Sequence, residues 1–316
     1  MKVLAWNCRC LGNSGTKLLL KQYCSDNKPD FIFIYEPMIL ASRIKSSFWS
    51  RLGLKLFYTN DRGPLVPNIW GICKLDINPI VVASSFQQVS VTIKIDSKQF
   101  YLCAVYAHTQ FGRRRDLWNE INSLVIKFPR AWCCIGDFNA VLGANECRCS
   151  HLPNKTSCDE FRSFSNSTNL THLTTRGAVV TWTNKRRGDA LTEKRLDRAL
   201  CNDNWFNVWS RSTCYTLPRS KSNHHPLILC FTDFVTLKQN REVFGNINLR
   251  VKSALKEVDA IQQRISALGH HNDLLEQENL AQQEPSFALH LEEEYWKEKA
   301  RINWLTSGDR NTAYFS

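Results

Sequence analysis

The sequence is short of negative charge, of C-x-x-C cysteine pairs and of long apolar runs. Aspartate and glutamate number 29 against 41 lysines and arginines, a formal charge of +12, with a pI of about 9.2. That excess favours polyanionic partners such as nucleic acid, and simple solubility would also account for it. No apolar stretch approaches the roughly 20 residues of a membrane span, so no membrane partner is expected. No secretory leader is expected either, because strand-like sequence begins at Met1 and the first apolar run breaks at Asn7 and Arg9. Without a leader, the Asn-x-Ser/Thr triplets at Asn154, Asn166 and Asn169 carry no message. No C-x-x-C pair occurs, and the order Cys147, Cys149, His151, Cys158 matches no common zinc module. The 13 cysteines are an odd number without the spacing of a small secreted framework. Several (Cys103, Cys133, Cys134, Cys230) lie in apolar runs, where a thiol behaves as a small hydrophobe, and a reducing compartment is expected.

What is present is core material in alternating elements. The chain has 316 residues and is 43% hydrophobic, enough for one large domain or one domain with an appendage. Val3 to Trp6 is a short apolar strand ending at Asn7. Thr16 to Asp26 reads as a helix with Leu18, Leu19 and Tyr23 on one face. Phe31 to Tyr35 is an apolar strand ending at Glu36. A helix is expected over Ser42 to Leu52. Strands follow over Leu54–Thr59, Asn68–Lys74, Ile80–Ala83, Gln88–Ile95 and Gln99–Tyr106. Arg113, Arg114 and Arg115 open a helix running to Phe128; they read as a solvated helix start or as a phosphate contact.

Trp132 to Ala140, WCCIGDFNA, begins as a strand buried on both faces and breaks at Gly136. Side chains two apart on an extended segment point the same way. Asp137 and Asn139 are therefore expected to project together, with Phe138 turned into the core. A carboxylate beside a carboxamide can hold and deprotonate a water; a plain polar turn would look the same. Cys158 to Thr168 is a helix with Phe161 and Phe164 inward. Val179 to Thr183 is a strand leading to the basic turn Lys185, Arg186, Arg187, either a DNA-facing loop with Trp182 beside it or an ordinary hairpin. Asp197 lies among cations in KRLDRA. Ser212–Leu217 and Leu227–Phe231 are further strands, with Ser222-Asn223-His224-His225-Pro226 between them. Strands and helices thus alternate over residues 1–233, a layered α/β pattern. Residues 234–316 change character: an amphipathic helix through Val251, Leu255, Val258, Ile261, Ile265 and Leu268, then a charged one from about Ser286 to Trp304. Self-association through 248–305 is an expectation of those helices.

The polar strand ends, in order, are Asn7, Glu36, Tyr106, Asp137 with Asn139, Asp197 and His224. With WNCRCLG, IYEPM, AVYA, GDFNA, RLDRAL and SNHHP, this order resembles the endonuclease/exonuclease/phosphatase superfamily. YAHTQFGRRRDLW, VTWTN, RLDRALCN and the tail EEEYWKEKARINWLTSGDRNTAYF are similar to the endonuclease region of plant non-LTR (LINE-type) retrotransposon polyproteins, where such a tail leads into a reverse transcriptase.

The resemblance implies an α/β four-layer sandwich of two packed β-sheets flanked by helices, followed by a helical C-terminal extension. It implies Mg²⁺-dependent phosphodiester hydrolysis, with Mn²⁺ as a substitute, and DNA as partner. By the same resemblance, Glu36 binds the metal and Asn7 places the phosphate or water. Asp137 deprotonates the water, steadied by Asn139. Asp197 orients His224, Tyr106 contacts the phosphate and Trp182 lies near the DNA. His224 is preferred to His225 because one residue separates it from Pro226, the family's spacing.

One position departs from the family. Asn223 stands where an aspartate is usual beside the histidine and the metal, so weaker metal binding and slower turnover are implied. Three readings stay open: a DNA-nicking endonuclease leaving a 3′-hydroxyl, a decayed remnant that still binds nucleic acid, and a phosphatase on small phosphoesters. An intracellular location is expected, nuclear if the substrate is chromosomal DNA.

Overall fold

The structure, a computed structural model, describes residues 1–149 and 151–232 together with Ala260, Ile261, Arg264 and Gln277. Two units divide the chain, Met1–Phe234 and Val235–Ser316. The helices expected over 248–305 and the polar tail lie outside the described residues.

In chain order the first half runs β1 (Lys2–Asn7), α1 (Ser14–Asn27), β2 (Phe31–Tyr35), α2 (Ser46–Ser50), β3 (Leu54–Thr59), β4 (Ile69–Lys74), β5 (Ile80–Ser84), β6 (Gln88–Ile95) and β7 (Lys98–Tyr106). It continues with α3 (Phe111–Lys127), β8 (Ala131–Asp137), β9 (Cys147–Arg148), α4 (Lys155–Ser167), β10 (Thr171–His172), β11 (Thr175–Arg176) and β12 (Trp182–Thr183). The last elements are β13 (Glu193–Lys194), β14 (Asp197–Cys201), α5 (Asp203–Val208), β15 (Arg211–Thr216) and β16 (Leu227–Thr232).

One sheet has seven strands in the order β11-β15-β16-β1-β2-β4-β3, and a second has six in the order β10-β14-β8-β7-β6-β5. A small third sheet, β12-β13-β9, lies beside them. The central pairs β1–β2 and β7–β8 are parallel, so each pair ends at one edge.

Strand parity sorts the side chains into layers, because alternate residues face opposite ways. On β1, Val3 and Ala5 join the core between the sheets, while Leu4 and Trp6 pack outward with α1 residues Leu20, Tyr23 and Cys24. On β8, Ala131, Cys133 and Ile135 face the inter-sheet core; Trp132 and Cys134, with Phe138 just past the strand, pack outward with Trp118 and Ile121 of α3 and Phe161 and Phe164 of α4. Helices outside, two sheets inside: this is the four-layer α/β sandwich. At the end where β7 and β8 begin, Phe100, Trp205, Trp209 and Phe231 close the core with edge-on ring contacts. Such pairs are worth about 0.5–1.5 kcal/mol each beyond area burial.

Three expectations need correction. Leu18 is 69% exposed, and the inward face of α1 is Leu20, Tyr23 and Cys24 at helical spacing. The helix expected over Ser42 to Leu52 is broken into a 3-10 turn, Ala41–Arg43, and the five-residue α2, because Lys45 adopts an extended backbone between them. The strand expected from Val179 shrinks to Trp182–Thr183; Thr181 beside it accepts the Leu196 and Asp197 N–H groups on its hydroxyl, both at 2.9 Å.

Candidate active site

The site forms where the inter-sheet core meets water, at the ends of β1, β2, β7 and β8. Asn7 shares the parity of Val3 and Ala5, and Asp137 that of Cys133 and Ile135, so both extend the core rows with polar groups. Cross-strand register sets the spacing: Asp137 lies opposite Asp197 on β14 and beside Tyr106 on β7. Gly136 makes the approach possible. Its φ is +142°, and a Cβ there would sit 2.1 Å from the Val105 carbonyl and 2.6 Å from the Tyr35 hydroxyl. That hydroxyl donates to the Ile135 carbonyl at 2.7 Å, tying the two sheets together just beneath the site.

The side chains interlock. The Asn7 amide nitrogen reaches Glu36 Oε1 at 3.0 Å, Asp137 Oδ2 at 3.1 Å and His224 Nε2 at 3.3 Å. An amide has two hydrogens, and the two carboxylates take them. His224 Nδ1 lies 2.9 Å from Asp197 Oδ2, and its Nε2 lies 3.7 Å from Asp137 Oδ2. Asn7, Asp137, Asp197 and His224 are all buried.

Charge follows geometry. Burial pushes the Asp137 carboxyl up and outweighs His224⁺, lifting it to about 7, with Asp197 adding to the rise. Burial would lower His224, but Asp197 and Asp137 override it and raise the imidazole to about 9. At neutral pH His224 is therefore an imidazolium held by two acids, and Asp137 is a base near its titration point.

Asn139 supports Asp137 through its backbone. Its N–H donates to Asp137 Oδ1 at 3.0 Å, from a left-handed φ of +46°, while its side chain donates to the Ala107 carbonyl at 2.8 Å. Phe138 is buried against Trp118 and Phe161. The Tyr106 hydroxyl donates to Glu36 Oε1 at 2.7 Å; burial first, then Glu36, push its pKa far up, so it stays a neutral donor. In this structure the hydrogen of Tyr106 is directed to Glu36. Asn223 is buried and its backbone carbonyl accepts from Thr183 N–H at 3.1 Å. Trp182 is bridged to His224 in β fashion, their rings 6.4 Å apart, and it packs with Val141 and Leu196.

The basic residues divide. Arg114 is buried and donates to the carbonyls of His108 and Thr109 and to Ser157 Oγ, so it braces the helix start instead of presenting charge. Arg115 forks onto Glu160 Oε1 at 2.7 and 2.9 Å. Arg114 thus spends its charge inside the protein, while Arg115 pairs with Glu160 at the surface with its side chain 57% exposed. Arg113 is exposed, as are Lys185, Arg186 and Arg187. A groove of about 620 Å³ runs past Asn139, lined among others by Arg113, Trp182 and Lys194.

Sequence reasoning missed several supports. Ser222 Oγ donates to the Asn7 carbonyl at 2.7 Å and accepts from His224 N–H at 3.1 Å, fixing one residue of the site against another 217 positions away. Glu146 binds buried Arg198 at 2.7 Å and accepts from Leu142 N–H at 2.6 Å, pinning the loop after Asn139 to β14. Arg9 lies 3.6 Å from Glu36. Ser222 was visible inside SNHHP; nothing in the sequence pairs Glu146 with Arg198.

Among the described residues, one trio places a potential ligand atom from each member within 4.8 Å of the others: Asp137, Asp197 and His224. Both ring nitrogens of an imidazolium carry hydrogen, so this trio is better described as a charge-paired set. Hard oxygen acceptors lie nearby. Asn7 Oδ1 and Asn223 Oδ1 are buried with no hydrogen-bond donor, and Glu36 Oε2 has only the long contact to Arg9. Unsatisfied buried acceptors are costly, and oxygen donors of this kind suit Mg²⁺ or Mn²⁺.

No family model matches the sequence, and no curated protein matches it. Solved structures do. The endonuclease domain of TRAS1, a telomere-specific non-LTR retrotransposon, superposes with a TM-score of 0.58 at 16% identity, covering 74% of this chain and 99% of that one. An AP endonuclease from Archaeoglobus fulgidus gives 0.56 at 13% identity, over 74% of this chain and all of its own. The 3′ phosphatase NExo from Neisseria, bound to a product DNA hairpin, gives 0.55 at 15%, again over 74% of this chain and all of that one. The chain therefore shares the fold of these solved structures, the four-layer sandwich described above. Among the described residues no helix is long and apolar enough to cross a membrane.

Proposed function

We propose that the protein is a divalent-metal-dependent phosphodiester hydrolase that nicks DNA and leaves a 3′-hydroxyl. The observation that carries this reading is the buried relay Asp197–His224–Asp137, joined through Asn7 to Glu36. The structural neighbours, two of them endonucleases and one a 3′ phosphatase bound to a product DNA hairpin, support it.

Phosphoryl transfer needs an aligned water, a base and positive charge where the phosphoryl oxygens gain charge. Asp137 takes the water's proton; a carboxyl lifted to about 7 is ionised in useful amount and basic enough to accept it. The backbone N–H of Asn139 fixes the carboxylate from below. His224, protonated and oriented by Asp197, presents its Nε2 hydrogen to a phosphoryl oxygen. Glu36 would hold the cation, with Asn7 and Asn223 oxygens as neutral partners. A bound Mg²⁺ or Mn²⁺ would act as a Lewis acid on the phosphoryl oxygen. Trp182 and the exposed Lys185–Arg187 turn suit DNA beside the site. In this reading residues 1–233 are the catalytic domain and 234–316 a helical extension, and action on chromosomal DNA would be nuclear.

Asn223 favours a second reading, a remnant that binds DNA without cutting it. Its neutral oxygen gives a cation less than a carboxylate would. Plasmid nicking decides between them. Supercoiled DNA in Mg²⁺ and in Mn²⁺ should convert to open circles slowly with the wild type and faster with Asn223→Asp. Asp137→Ala should lose about 10²–10⁴-fold. Nicking by Asp137→Ala at the wild-type rate would defeat the proposed mechanism. Binding without nicking by both wild type and Asn223→Asp would establish the remnant. Release of inorganic phosphate from small esters in place of nicking would point to a phosphatase.

A further inference from the structure

We propose that Arg9 is a substrate-positioning residue: its guanidinium holds Glu36 while the cation site is free and turns to a DNA phosphate once a divalent ion takes Glu36. The inference rests on the proposed function and assigns a role to a residue that function does not use.

Three observations place Arg9. First, its Nε lies 3.6 Å from Glu36 Oε2, the carboxylate oxygen not engaged by Asn7 or Tyr106, which both hold Oε1. The positive charge therefore occupies the approach to the oxygen a metal would use. Second, the contact is loose: the Arg9 side chain is 51% exposed and that of Glu36 is 19% exposed. The guanidinium can leave without unmaking a buried pair, unlike Arg198.

Third, the backbone is built to hold Arg9 there. Arg9 and Cys10 have φ of +50° and +139°, and in the facing turn Glu36 and Met38 have +48° and +54°. Non-glycine residues seldom adopt these angles, and such outliers gather at functional sites. The two turns are laced together: Cys8 N–H donates to the Tyr35 carbonyl at 3.0 Å, and Leu11 N–H to the Pro37 carbonyl at 2.8 Å. These bonds keep Arg9 opposite Glu36 whatever its side chain does.

A divalent ion on Glu36 Oε2 competes with the guanidinium for that oxygen's negative charge. A cation on Glu36 repels Arg9, which then carries an unpaired charge at the site mouth. A phosphodiester oxygen is its natural partner, because the guanidinium fork matches phosphate geometry. Metal and substrate binding are thereby coupled: the ion frees the arginine that helps seat the DNA. The coupling also compensates for Asn223, since Arg9 supplies substrate-binding charge where the cation site is poor in negative charge.

The test needs no turnover, so it is independent of whether the protein nicks. All measurements use the full chain carrying Asp137→Asn to keep the DNA intact. Mn²⁺ binding is measured by electron paramagnetic resonance without DNA; binding of a fluorescein-labelled duplex is measured across a salt series with EDTA or Mn²⁺. Arg9→Gln should bind Mn²⁺ roughly two- to fivefold more tightly, the range of an exposed ion pair. That gain should vanish in the presence of Glu36→Gln. With Mn²⁺, Arg9→Gln should flatten the dependence of log K on log salt by about 0.9, one phosphate contact; with EDTA the slopes should coincide. Arg9→Lys keeps the charge under the same backbone demand and should keep the wild-type slope, so a folding defect would show in both variants. Unchanged Mn²⁺ affinity in Arg9→Gln, or an equal loss of slope with EDTA, would overturn the proposal. Failure of plasmid nicking alone would count against the proposed function and leave this result standing.

Discussion

His224 makes a measurable signature in stability. An ordinary histidine titrates near 6.5, and in the folded protein this one is raised to about 9. The folded state therefore keeps a proton that the unfolded chain has released. The stability it contributes is fully present below 6.5 and is lost as pH rises towards 9. At about 1.4 kcal/mol per pH unit, the whole window corresponds to about 3 kcal/mol, a large part of a domain's stability. The residue is 3% exposed, so solvent screening does not erase the effect. Urea unfolding in EDTA at constant ionic strength should show wild-type stability falling by about 2 kcal/mol between pH 6.5 and 8. Higher pH is less informative, because burial pushes Cys8, Cys24 and Cys214 up to about 12 and adds a slope of the same sign. His224→Gln removes the titrating group but leaves the thiols. The wild-type advantage over His224→Gln should therefore shrink steadily across that window. An advantage that stays constant from pH 6 to 8 would refute a charged His224 held between Asp197 and Asp137.

Two further outcomes concern the frame. Glu146→Gln breaks a buried ion pair and leaves Arg198 with an uncompensated charge, so chemical denaturation should show a loss of about 3–5 kcal/mol; a loss under 1 kcal/mol would mean water reaches the pair. Cys10→Gly should raise the melting temperature, since φ of +139° suits glycine and relief of strain of about 1–3 kcal/mol exceeds the entropy lost with the side chain; a lower melting temperature would show that the Cys10 side chain packs usefully.

Much of this site was legible because parity is written in sequence. Asn7 follows Val3 and Ala5 by twos, and Asp137 follows Cys133 and Ile135, so each polar residue continues a core row to its mouth. Asp197 and His224 could be proposed as partners only through the ordered resemblance; their 2.9 Å contact is a fact of register between distant strands. What stayed hidden has a common cause. Leu18 faces solvent because α1 turns its Leu20–Tyr23–Cys24 stripe inward, and two neighbouring leucines cannot reveal which one wins. Arg114 looks like its neighbours in an RRR run, yet the first turn of α3 aims it at the His108 and Thr109 carbonyls. Backbone sign was also invisible: nothing in Asn-Cys-Arg-Cys announces two successive left-handed residues without glycine.

Tyr106, Asp137 and Asp197 occupy one rung across three neighbouring strands. The distances between them are thus set by the interstrand spacing of a β-ladder and not by loops that can drift. Evolution can tune such a row only by exchanging side chains. Inserting or deleting one residue within β8 would carry Asp137 to the opposite face of the sheet, against the helices, and strand the acid in apolar packing. Functional drift in this protein should therefore accumulate as substitutions at the row and its borders, while changes of length collect in the turns beyond it.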